Sequence, residues 1–221
     1  MTIRAVIFDM DGLMFDSERL AREAWRAALA DQGYALHDRV YQRAIGRTAE
    51  EACEVFVEAY GKGLPIEAIE ADKARRLEVL LKPFPPLKPG LLELLDVIAE
   101  LGLRAAVASA TAAAEVRGRL VAARLAARYD VVVGGDEVRA GKPAPDLFAR
   151  AAQLLRVAAE ECVVLEDSEA GILAASVARM VPVMVPDLVR PSASCRALCA
   201  SVVVSLHEAA PVIRGLVGTH G

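Results

Sequence analysis

VIFDMDGLMFDS, residues 6–17, is the stretch on which the reading of the chain turns. Residues 3–8 form a short run of β-branched and aromatic side chains, the pattern of a strand buried on both faces of a parallel sheet. Asp9 and Asp11 follow at its end, two residues apart, with Gly12 where the chain must turn or let another group come close. If the backbone stays extended from 9 to 11, both carboxylates leave on one side and can share a cation. Two such charges repel unless a metal or a proton holds them together. An Asp-rich turn that merely ends a strand has the same appearance, so D-x-D-G alone leaves both readings open.

A length of 221 residues and 55% apolar composition are enough for one large globular domain, or for one that carries a smaller insertion. The net charge of −4, without a Lys/Arg run, argues against nucleic acid or a membrane surface as the main partner. The first apolar run is too short for a signal peptide or a membrane span, so a cytoplasmic location is expected. Cys53, Cys162, Cys195 and Cys199 show no C-x-x-C spacing and read as reduced, packing residues.

Helices are expected at 17–32, opened by Ser17 as N-cap, and at 37–45, 48–60 and 65–81, with glycines between them. KPFPPLKPG at 82–90 holds four prolines and reads as a hinge. Beyond it helix and strand alternate: helices at 90–101, 112–126, 146–156, 169–179 and 206–216, strands at 104–109, 130–134, 162–166, 181–185 and 202–205. That alternation implies an α/β fold, a Rossmann-like, mostly parallel sheet covered by helices on both faces. The first strand belongs near the middle of that sheet. Residues 1–16 and 86–221 would then form the core, and residues 17–85 an inserted all-helical cap.

Ligands of open α/β sheets bind beyond the carboxyl ends of the strands. Here those ends carry Asp9 and Asp11, then Ser109 and Thr111 ahead of a helix, then Lys142 in a loop stiffened by Pro143 and Pro145, then Glu166 and Asp167 ahead of Ser168 and Gly171. Each has an ordinary explanation: a helix cap for Ser109, a solvated Lys142, acids suited to a helix dipole. Four ordinary explanations at one edge of one sheet are improbable.

With FDMDGLMFDS, VASAT, GKPAPD and VLEDSEAG in this order, the whole chain resembles the haloacid dehalogenase-like hydrolase superfamily. The insertion is similar to the helical cap of the branch with phosphoglycolate phosphatase, β-phosphoglucomutase and pseudouridine-5′-phosphatase. The resemblance implies a phosphatase for a small phosphorylated metabolite, a sugar or nucleoside monophosphate, working through an aspartyl phosphate. It assigns Asp9 as nucleophile and Asp11 as acid and base. Mg²⁺ would be held by Asp9, the carbonyl of Asp11 and Asp167, with Glu166 beside it or bound through water. Ser109 and Lys142 would hold the phosphoryl oxygens. Arg47, in the Gly46-Arg47-Thr48 loop, would face substrate or solvent. His37, His207 and His220 match no motif and are expected at the surface; the chain is expected to be a monomer or weak homodimer.

The sequence departs from its relatives at Arg179, which replaces a usual glycine, and at Ala110, Ala112 and Ala113, where some relatives carry donors near the phosphate. The β-phosphoglucomutases of the branch have a histidine in the first cap helix, and Ala21 stands at that position, which favours hydrolase over mutase. Dehalogenases lack the second acid. A receiver domain has no helical insertion of this size, and a non-catalytic binding module would have lost a catalytic position.

Overall fold

Ala5, Val6, Ile7 and Phe8 are all fully buried, because this strand runs through the middle of the sheet and is covered from both sides. The computed structural model describes residues 2–82 and 86–218. In chain order its elements are β1 (Ala5–Phe8), α1 (Glu18–Asp31), α2 (Asp38–Ala44), α3 (Ala49–Tyr60), α4 (Ile66–Leu80), α5 (Leu91–Glu100), β2 (Arg104–Ala108), α6 (Ala113–Ala122), β3 (Val131–Val133), α7 (Asp146–Leu155), β4 (Cys162–Glu166), α8 (Glu169–Val177), β5 (Val181–Met184), α9 (Ala193–Leu198), β6 (Ser201–Val202) and α10 (Leu206–Gly218).

The six strands are parallel and lie in the order β3-β2-β1-β4-β5-β6. Side chains alternate across the sheet. Val6 and Phe8 pack with Leu94, Val116 and Ile213 of α5, α6 and α10, while Ala5 and Ile7 pack with Phe148, Ala151 and Ala174 of α7 and α8. The Rossmann-like α/β arrangement expected from the sequence is therefore present, with β1 central. β1 is also where the chain order reverses, so its carboxyl end opens the crevice in which such sheets bind ligands.

All regular elements described between residues 17 and 82 are helices, α1 to α4, with a core of their own. Its centre is Trp25 stacked on Phe56, ring centroids 4.1 Å apart. The chain enters and leaves this layer side by side: Asp16 N–H donates to the Pro86 carbonyl and Lys88 N–H to that of Met14, both at 2.8 Å. Residues 83–85 of the proline segment and His220 lie outside the described residues. His37 and His207 are exposed, as expected.

Several boundaries differ from expectation. The helix expected at 112–126 ends at Ala122, because Arg124 takes a left-handed φ of 59° and closes it. The last strand is only Ser201–Val202; Val204 turns outward and its N–H is capped by Glu208 at 3.1 Å. Ser17 does not cap α1 with its side chain. All four cysteines are free, and no described helix is long and apolar enough to cross a membrane.

Candidate active site

β1, β2 and β4 are neighbours, so Asp9, Ser109 and the Glu166–Asp167 pair leave the sheet together. Lys142, from the loop after β3, completes the group. Its ammonium bridges Asp9 Oδ1 and Glu166 Oε1 and is fully buried. A solvated Lys142 is thereby ruled out. The second oxygen of Glu166 accepts from the backbone and hydroxyl of Ser168, at 2.8 and 2.9 Å, while that hydroxyl also accepts from Gly171 N–H at 3.1 Å and caps α8. One serine thus starts a helix and aims a carboxylate.

Asp9, Glu166 and Asp167 are buried and can each offer an oxygen within 4.8 Å of the others. Lys142 supplies one positive charge against these three. Burial, with the charges of Glu166 and Asp11, pushes the Asp9 carboxyl up to about 8 even though Lys142 pulls it down. Burial, then Glu166 and Asp9, raises Asp167 well above the usual range. Lys142 moves upward too: burial disfavours its charge, and Asp9 and Glu166 outweigh burial. The lysine therefore keeps its proton, and the carboxylates are what lack positive charge. A buried set of hard oxygen donors with excess negative charge fits a divalent cation.

Gly12 is needed beside this set. Its φ is +86°, and a Cβ there would collide with the Asp167 carboxylate. On the opposite side Gly46, with φ +76°, brings the loop after α2 against Ser168; a Cβ would stand 2.6 Å from the serine hydroxyl.

Asp11 is held by partners of its own and stands outside the group of three acids. Its Oδ1 accepts from Ser17 Oγ at 2.6 Å and from Arg119 Nη1 at 2.6 Å, and its Oδ2 from Thr111 Oγ1 at 2.8 Å. Burial alone would raise its pKa, but Arg119 and the hydroxyl bonds outweigh burial and hold the carboxyl below its usual value. Arg119 had no signal in the sequence: beside Glu115, four residues earlier on α6, it looks like a surface pair. Ser17, the N-cap expected for α1, gives its hydroxyl to Asp11 instead. The buried Ser109 accepts from Thr111 N–H at 3.1 Å.

Asp9, Asp11 and Ser109 open into a cavity of about 830 Å³ between the sheet edge and the helical layer, whose wall includes Arg47, Arg119, Glu18, Tyr41, Glu70 and Lys73. Arg47 is half-buried, and its Nε donates to the Arg43 carbonyl at 2.8 Å. Glu18 accepts from Tyr41 Oη at 2.8 Å; burial, then Asp11, pushes its carboxyl up to about 7.

The sequence profile of the haloacid dehalogenase-like hydrolases matches residues 3–179, and the chain belongs to that family. A phosphorylated carbohydrates phosphatase from Thermotoga maritima is 33% identical over 177 residues, 78% of this chain and 80% of its own. A putative β-phosphoglucomutase from the same organism superposes with a TM-score of 0.74 at 27% identity, over 96% of this chain and 99% of that one. A CbbY mutant from Rhodobacter sphaeroides, solved in complex with xylulose 1,5-bisphosphate, gives a TM-score of 0.78 at 27% identity, over 94% and 96%.

Proposed function

We propose that this chain is a magnesium-dependent phosphatase of small phosphorylated metabolites, sugar or nucleoside monophosphates. Residues 17–85 act as a cap over a core of 1–16 and 86–221. The observation that carries this reading is the placement of Asp9: buried at the end of the central strand, bonded to Lys142, with Asp11 on its open side facing the cavity. The phosphatase among the relatives supports the reaction type.

Asp9 attacks phosphorus, and the bond to the leaving oxygen breaks as that oxygen takes a proton from Asp11. Water then attacks the aspartyl phosphate and gives its proton to Asp11, releasing inorganic phosphate and restoring Asp9. Asp11 must be protonated for the first half, so it must loosen from Arg119 when substrate arrives. Ser109 and Lys142 receive charge on the phosphoryl oxygens, where stabilising phosphoryl transfer matters most. Magnesium, held by Asp9, Asp167 and the Asp11 carbonyl with Glu166 close by, would neutralise the repulsion between a carboxylate and a phosphate.

The runner-up is a phosphomutase, a reading to which the neighbouring β-phosphoglucomutase fold lends weight. Ala21 lines the cavity where the related mutases carry histidine, and no described residue of the cavity wall is a histidine. Water is then the available acceptor. A panel of phosphorylated metabolites, with released phosphate as readout, tests the reading; a folded, Mg²⁺-loaded protein that releases phosphate from none of them, 4-nitrophenyl phosphate included, refutes it.

A further inference from the structure

A second cavity, of about 560 Å³, lies beyond the loop after α2. It shares only Ile45 and Arg47 with the first, and the contact of Gly46 with Ser168 stands between the two, Gly46 lining one and Ser168 the other. Its walls differ in chemistry. The helical layer contributes Arg39 and Arg43, whose spacing of four sets both guanidinium groups on one face of α2. Arg43 is paired with Glu58, whereas no described residue pairs with Arg39. The sheet side contributes Leu173 of α8, Leu198 of α9 and Leu188 between β5 and α9. Leu173 is 42% and Leu198 39% exposed. Of the acids on the wall, Asp167 belongs to the group of three, and Glu169 accepts from Ser192 N–H.

We propose that this cavity binds a small amphipathic anion, an acid head on an apolar body, with the head at Arg39 and the body on Leu173, Leu188 and Leu198. Large apolar side chains left open to water in one hollow mark a ligand site, and a guanidinium without a partner beside them gives an acid head its place. An inorganic anion would leave the leucines uncovered. A cation would meet arginine on the opposite wall. The occupant is a single molecule and not a membrane, because the leucines line a hollow between two layers of the protein. Since the walls belong to different layers, the occupant ties α2 to α8 and α9. None of these four side chains lines the first cavity, so the site does not depend on the proposed reaction.

The test is calorimetric titration of the full chain with decanoate, kept below the concentration at which it forms micelles, against decyltrimethylammonium, which has the same tail and the opposite charge. Wild type should bind one decanoate per chain, at least about tenfold more tightly than the cation. Arg39→Glu, on the helical layer, and Leu198→Asn, on the sheet side, should each weaken decanoate by about tenfold or more. Both side chains are exposed, and circular dichroism checks that the variants fold. Mg²⁺ with inorganic phosphate, which the phosphatase reading places in the first cavity, should leave the affinity for decanoate unchanged. No binding of decanoate, equal affinity for the two ions, weakening by one variant only, or displacement by phosphate would overturn the site. Capture of the chain by phosphatidylglycerol vesicles, undiminished in Leu198→Asn, would overturn it in favour of a membrane surface. A chain that hydrolyses no phosphate ester and still binds decanoate in this way would remove the phosphatase reading and leave the site standing.

Discussion

Arg119 Nη1 donates to Asp11 Oδ1 at 2.6 Å across 108 residues of sequence. The same guanidinium pairs with Glu115, so Arg119 is anchored on its own helix while it reaches the strand end. Asp11 therefore rests ionised, with two hydroxyls and a guanidinium around it.

Arg119→Ala should raise the Asp11 pKa. A carboxyl held low in the folded state stabilises the protein above its unfolded pKa, and that stability is lost as pH falls through the folded value. The variant should therefore be less stable than wild type at pH 7, by about 1–3 kcal/mol, with the gap closing toward pH 2. Calorimetry at both pH values checks this; a gap of the same size at both would mean that Arg119 acts through packing alone.

Asp9→Asn should abolish turnover, since the amide is no nucleophile and cannot balance Lys142. The measurement is phosphate release from the best substrate, with circular dichroism to show that the variant is folded. Wild-type rates in the folded variant would rule out the covalent route.

Chelation should remove activity and added Mg²⁺ should restore it, because three buried carboxylates with one lysine are left short of positive charge. Asp167→Ala should raise the Mg²⁺ concentration needed for half-maximal rate more than Ser109→Ala does. Full activity in excess chelator would sink the metal assignment.

Glu18→Gln should stabilise the protein in mild alkali. The Glu18 carboxyl is pushed up to about 7 from an ordinary value of 4.5, so its favourable contribution is whole below about pH 4.5 and lost as pH rises through 7. At pH 8 the amide should gain about 1–2 kcal/mol, less than the full shift implies because the site is only half-buried, and almost nothing at pH 4. Thermal melts at the two pH values decide; a gain confined to acid would reverse the assignment.

Incubation of β-glucose 1-phosphate with enzyme, Mg²⁺ and a bisphosphate primer should yield free phosphate and no significant glucose 6-phosphate. Glucose 6-phosphate formed much faster than phosphate would make the chain a mutase, with some group other than residue 21 supplying the base.

The strand ends were legible from the sequence because a strand buried on both faces writes an unbroken apolar run, and the residue after each run must sit at the sheet edge. Asp9, Ser109, Glu166 and Asp167 stand at those ends. The surroundings of Asp11 were not. Arg119 follows Glu115 at the spacing of an exposed helical pair, and Ser17 sits at a helix start where a hydroxyl usually caps. In both cases a partner distant in sequence takes the group that the local pattern had assigned.

The contact of Gly46 with Ser168 links two events usually treated separately. Ser168 fixes the oxygen of Glu166 that Lys142 leaves free, and the loop that rests on Ser168 comes from the helical layer. With only a hydrogen atom on Gly46, the layer can sit flush on the serine without moving it. A methyl group there would either hold the layer ajar or tip Ser168 and, through it, the charged cluster. Residue 46 thus behaves as a feeler gauge between the helical layer and the charged cluster, a gap that passes a hydrogen atom and nothing thicker.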